Sequence, residues 1–135
     1  MNGVIVVDAS VALKWVIEEP GSDAAADLQG QTLLAPDLWL IECANALWAR
    51  VRRNMLSGHD AVALFARLEG APVRTMPSQL YVAEALQLAA DLNHPVYDCL
   101  YLAAALRENG VVITADGRFH EATRGSLLAE RVRVL

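Results

Sequence analysis

The chain lacks any apolar run approaching the roughly 20 residues that span a bilayer, so no membrane-spanning helix is expected. Cysteine is scarce. Cys43 and Cys99 fall inside helical patterns with no CxxC spacing, which favours two buried, reduced thiols over a disulfide or a thiolate metal centre. His59, His94 and His120 are widely separated and show no ligand spacing. No His/Cys zinc set is therefore on offer, and these histidines are assigned to loop or cap roles. A basic excess is also missing: 11 Lys and Arg stand against 16 Asp and Glu, a formal charge of −5. That balance argues against broad phosphate binding. It leaves room for clustered acids that bind divalent ions, which would bring the sum close to neutrality and invert the local field. The apolar start, residues 4–7 and onward to Ile17, lacks a basic leader and is interrupted by Asp8 and Lys14. It reads as a strand entering a helix, in a protein expected to stay in the cytoplasm.

What is present is a 135-residue chain, 55% hydrophobic, sufficient for one domain, 1–135, with a single core. Residues 4–7 form a continuous β-branched run, the pattern of a strand buried on both faces of a parallel sheet. Ser10 is placed as the N-cap of a helix over 11–19, stopped by Pro20-Gly21. A short helix over 22–28 and a strand over 32–35 follow. A long helix over 37–54 carries an apolar stripe of Leu40, Ala44, Leu47, Trp48, Val51 and Met55. Ser57 is placed as the cap of a helix reaching Glu69. Then come a strand over 73–76, a helix over 79–92, and a strongly apolar helix over 96–108 that ends at Asn109-Gly110. A fourth strand over 111–114, a short helix over 117–123 and a final strand over 132–135 complete the reading. Strands alternating with helices predict an α/β fold: three layers, with a central parallel sheet of four to five strands flanked by helices.

Sites in such sheets form outside the carboxyl ends of the strands, where the strand order reverses. Asp8 and Asp116 each stand just past a β-branched strand, in VIVVD and VVITAD. Each could point into a shared crevice or cap the helix that follows. Asp98 shares its helical face with Tyr101, Leu102 and Ala105, and a carboxylate aimed at a core is costly unless paired or metal-bound. Its other reading is a first-turn acid favoured by the helix dipole. Glu42 lies opposite the apolar stripe, on a face with Asn45, Ala46, Ala49 and Arg53. That face is short of the Lys and Glu of a water-facing surface, and its small residues leave space for a ligand or a neighbouring element.

Four segments, VVDASVALKW, ECANAL, YDCLYLAAAL and TADGRF, together resemble the PIN domain, and specifically the VapC-type toxins of bacterial toxin–antitoxin pairs. The resemblance covers essentially the whole chain, in the family's order and close to its spacing. It implies an endoribonuclease whose four acids fall on Asp8, Glu42, Asp98 and Asp116. The family's small hydroxyl near the metal matches Ser10, its asparagine three residues after the glutamate matches Asn45, and its threonine ahead of the last acid matches Thr114. Some members add an acid one or two positions after the last aspartate. Gly117 and Arg118 stand there in this chain, which weakens a second metal site. The resemblance further implies products with 5′-phosphate and 3′-hydroxyl ends and a homodimer. It also implies a VapB-like antitoxin that wraps the toxin and can place a basic side chain among the acids.

Oxygen-only ligands suit a hard ion, Mg²⁺ with Mn²⁺ as substitute, and four adjacent carboxylates repel one another unless a cation neutralises them. The chemistry expected is in-line attack by metal-activated water on an RNA phosphodiester. Asp8, Asp98 and Asp116 would hold the ion, and Glu42 would ligate it or orient the water. Lys14, Arg50 and Arg53, with Arg52 beside them, are the candidate phosphate contacts; Arg53 shares a helical face with Glu42 about three turns away. Trp39, Trp48, Tyr97 and Tyr101 are expected to serve core or interface packing rather than base stacking. Three other readings remain: a phosphoryl receiver domain, poorly matched because Ala9 follows Asp8 and the chain ends RVRVL; a PIN nuclease of RNA maturation; and a catalytically silent PIN-fold binding module.

Overall fold

The computed structural model describes residues 3–135. Five short strands, β1 (Ile5–Val7), β2 (Leu33–Pro36), β3 (Val73–Met76), β4 (Val111–Thr114) and β5 (Val132–Val134), form one sheet in the order β3-β2-β1-β4-β5. Every pairing is parallel. The chain builds outward from β1 to β3, then returns to the other side of β1 with β4, so the order reverses between β1 and β4. Val7 sits opposite Ile113 there, and the carboxyl ends of both strands open on the same edge. The expected three-layer α/β architecture is thus observed, with five strands.

Among the described residues, seven helices flank the sheet: α1 (Ala9–Ala12), α2 (Ser22–Asp27), α3 (Leu38–Arg52), α4 (Gly58–Glu69), α5 (Val82–Leu92), α6 (Val96–Arg107) and α7 (Gly117–Thr123). Residues 99–105 of α6 are all buried, because this helix packs across β1, β2 and β4 and also against α5. It therefore reads as apolar all round rather than amphipathic. Asn109, in the left-handed region at φ 53°, ends its helical run. At the next residue, Gly110, a Cβ would collide with the Val4 carbonyl, so only glycine lets β4 enter alongside β1. Among the described residues, no helix is long and apolar enough to cross a membrane.

Local differences from the sequence reading have physical causes. The first helix begins at Ala9, not at residue 11, and its cap is Asp8 rather than Ser10, since the Asp8 carboxylate accepts the Val11 N–H. It tightens into a 3₁₀ turn over Leu13–Trp15 and stops short of residue 19. The Trp15 indole N–H bonds the Ala25 carbonyl at 2.8 Å, pulling the chain into α2. The helix expected from residue 79 starts at Val82, after a 3₁₀ turn over Ser78–Tyr81. That turn is tied to the start of α3, where Ser78 Oγ accepts from Leu38 N at 2.9 Å and Asp37 accepts from Ser78 N at 3.1 Å. In α3 the buried row is Trp39, Cys43 and Leu47; Ala44, Trp48 and Met55 of the expected stripe are exposed. Ala44, Trp48 and Val51 line an open apolar cleft against α4 instead. Glu42 consequently borders the buried face rather than lying opposite it.

Candidate functional site

Asp8 is buried at the exit of β1, beside the exit of β4. Burial pushes its carboxyl above the ordinary range, hydrogen bonds from Ser10, Thr114 and Val11 N pull it back in part, and the charge of Asp98 raises it further. Ser10 Oγ donates to Asp8 Oδ1 at 2.5 Å and accepts from Ala115 N at 2.9 Å, stitching the exit of β1 to the exit of β4. Thr114 is fully buried and its hydroxyl accepts from Asp116 N at 3.0 Å. The two small hydroxyls thus set the backbone from which both aspartates project.

Glu42 enters from α3. Tyr101 of α6, itself fully buried, donates its phenol to Glu42 Oε1 at 2.5 Å. Burial pushes the Glu42 carboxyl up, the Tyr101 bond counteracts this, and the charges of Asp98 and Asp8 raise it again. Burial, then the neighbouring Glu42 charge, drives the Tyr101 phenol upward as well, so it remains a proton donor. Asp98 stands in the first turn of α6, with Oδ2 2.6 Å from His94 Nε2. Asp116 caps α7 and is gripped by a single residue. Arg118 N and Nε donate to Oδ1 at 2.9 and 3.1 Å, and its Nη2 donates to Oδ2 at 2.9 Å. Those bonds hold the Asp116 carboxyl below its ordinary range against a smaller opposing effect of burial. The site grades from a buried floor, Asp8 at 6% exposure, to an open mouth where the Asp98 and Asp116 side chains are 32% and 35% exposed.

Three of the acids, Asp8, Glu42 and Asp98, influence one another electrostatically, and the fourth stands at the neighbouring strand end. Among the described residues, no three acid, His or Cys side chains close on one point as a finished metal cage. The outer two carboxylates are turned to His94 and Arg118. The donor chemistry nonetheless suits a hard cation: all donors are oxygens, and the buried Asp8 and half-buried Glu42 carboxylates have their charge disfavoured by burial and mutual repulsion.

The other candidates are dispersed. Asn45 is exposed on α3. Lys14 and Arg50 converge on Glu19, at 3.1 and 3.5 Å, and Lys14 also bonds the Pro20 carbonyl at 2.7 Å, so both clamp the chain after α1. Arg52 lies over the Trp48 ring at 4.9 Å, and Arg53, the C-cap of α3, is exposed. Trp39 is core, with its indole N–H on Thr75 at 3.0 Å, whereas Trp48 and Tyr97 are exposed. The sequence reading missed His94, which touches Asp98 rather than serving only a loop. Its signal was the spacing of four residues to Asp98 across Pro95. Tyr101, expected to pack only, also holds Glu42.

Carboxylates gathered at the strand ends, where a five-stranded parallel sheet reverses its order, define an α/β protein with an acidic edge at that point. The chain belongs to the PIN-domain family, whose sequence profile matches residues 5–125. It is 32% identical over 120 residues to Ribonuclease VapC12 of Mycobacterium tuberculosis, covering 88% of this chain and 92% of that protein. The crystal structure of PAE2754 from Pyrobaculum aerophilum superposes with a TM-score of 0.70 at 21% identity, over 95% of this chain and 88% of that one. VapBC2 from Rickettsia felis, solved bound to a DNA fragment from its promoter, gives 0.61 at 9% identity, over 98% and 97%.

Proposed function

We propose that the chain is a divalent-cation-dependent endoribonuclease, the toxin of a VapBC-type pair, acting in the cytoplasm as a homodimer of one-domain PIN subunits spanning 1–135. The reading is supported by the electrostatic proximity of Asp8, Glu42 and Asp98 and by Asp116 at the neighbouring strand end. The ribonuclease name of the M. tuberculosis relative supports RNA as substrate, and the VapBC2 likeness supports a VapB-like antitoxin partner. Asp8, Asp98 and Asp116 would hold Mg²⁺, or Mn²⁺ in its place. When bound, the cation supplies charge stabilisation at the phosphate and lowers the pKa of a water. Glu42, fixed by Tyr101, orients the attacking water and takes its proton. Ser10 and Thr114 keep Asp8 and Asp116 in register, and Arg53 offers an exposed phosphate contact.

The test is cleavage of total RNA by antitoxin-free protein in Mg²⁺ or Mn²⁺, with a chelator arm and an Asp98→Asn arm. Discrete fragments with 5′-phosphate ends, lost in both arms, are expected. Full cleavage by Asp98→Asn would remove the assignment. The Arg118 guanidinium seated on Asp116 favours the silent binding module as the second reading, and failure to bind Mn²⁺ at all would put it first.

A further inference from the structure

His94 is held in place from several directions. Asn93, in the left-handed region at φ 51°, ends α5, and the His94 N–H closes on the Ala89 carbonyl at 3.2 Å. Pro95 precedes α6, and Cys99 Sγ lies 3.9 Å from the His94 carbonyl. The imidazole stacks on Phe119, centroids 5.4 Å apart with 12° between planes, and Phe119 is buried. With its side chain only 15% exposed, the ring has little freedom, and it presents Nε2 to Asp98 Oδ2 at 2.6 Å. We assign the N–H to Nε2, with the Asp98 carboxylate oxygen accepting. Phe119 belongs to α7, whose cap is Asp116. One imidazole therefore touches both the helix whose first turn carries Asp98 and the helix that Asp116 caps.

We propose that His94 is a positioning residue of the acid site: its Nε2–H fixes the Asp98 carboxylate in one orientation, and its stack on Phe119 keeps the start of α7, with Asp116, beside it. The inference rests on reading the four acids as a cation site. A hydrogen bond to one oxygen of a ligand carboxylate orients the other toward the cation, and such supporting bonds are worth about tenfold or more in metal affinity. Packing alone does not need the nitrogen; positioning does.

The experiment is calorimetric titration of Mn²⁺ into metal-free wild type, His94→Phe, His94→Gln and His94→Ala, with melting curves recorded without metal. His94→Phe keeps an aromatic ring against Phe119 and removes the donor; His94→Gln removes the stack and retains an N–H. The expected result is Mn²⁺ affinity reduced about tenfold in His94→Phe, which keeps only the stack, partly regained in His94→Gln, which keeps only the N–H, and lowest in His94→Ala, which keeps neither, with His94→Phe melting near wild type. Wild-type affinity in His94→Phe, or equal affinities in the Phe and Gln variants, would overturn the positioning role while leaving the cation site standing. Absence of Mn²⁺ binding by wild type would overturn both.

Discussion

The Tyr101 phenol and the Glu42 carboxylate, 59 residues apart in sequence, meet at 2.5 Å across the interface between α6 and α3. Tyr101 is fully buried, so the bond anchors a partly buried acid to the best-packed helix of the fold. Tyr101→Phe keeps the ring volume and removes one hydrogen bond. The expected cost in stability is about 1 kcal/mol, whereas RNA cleavage should fall about tenfold or more because Glu42 loses its support. Urea melts alongside a cleavage time course check both. Undiminished cleavage would mean that Glu42 does not need the phenol.

Asp8 and Glu42 predict an unusual pH dependence for the metal-free protein. Both carboxyls are raised in the folded state, by burial first, so the fold binds more protons than the unfolded chain between the ordinary carboxylate range and the higher folded values. Stability from these two groups is therefore greatest at acid pH and declines as pH rises through that window. Asp116 acts oppositely, favouring the fold above the ordinary range, but its Arg118 partner is solvent-exposed and the effect is small. The melting temperature should rise as the pH is lowered through that window. Saturating Mn²⁺ should raise it at neutral pH and do little at acid pH, where protons compete for the same oxygens. A melting temperature that falls steadily from neutral pH downward would contradict the raised carboxyls.

Arg118 supplies all three donors seen on Asp116, and its side chain is 88% exposed. A guanidinium on a prospective ligand must leave before a cation can use that carboxylate. Arg118→Ala should therefore tighten Mn²⁺ binding several-fold with little change in melting temperature, since an exposed ion pair adds little stability. Arg124→Ala removes an equal charge whose partner is Glu121, and serves as the control. Equal tightening by both would reduce the effect to net charge.

Local features of this chain were legible in its sequence. β-branched runs marked β1 and β4, Ser57 capped α4 as expected, and VIVVD and VVITAD placed Asp8 and Asp116 at strand ends. Asp8 and Ser10 are both good caps two residues apart, and composition alone did not decide between them. The α3 error has the same origin. Leu40-Ala44-Trp48 and Trp39-Cys43-Leu47 both repeat at helical spacing, and only the sheet beneath the helix selects the second. The contacts of His94 with Phe119 and of Tyr101 with Glu42 are tertiary, joining elements that no local pattern connects.

Cys43 and Cys99 are both free and fully buried. Burial pushes the Cys43 thiol up to about 12, with Glu42 and Asp8 adding repulsion. Burial and Asp98 push Cys99 up to about 11. The thiolate is the reactive form, so at pH 8 each thiol has both too little thiolate and too little access. Iodoacetamide should leave the native protein unmodified over hours and label both cysteines once guanidinium unfolds it, which mass spectrometry resolves site by site. Cys43 follows Glu42 on α3, and Cys99 follows Asp98 on α6. Native labelling at either would therefore report opening of the helix that carries a site acid. Cation binding should slow that opening, so added Mn²⁺ should suppress any residual labelling. Labelling at Cys43 that Mn²⁺ does not change would place the opening elsewhere than at the acid cluster.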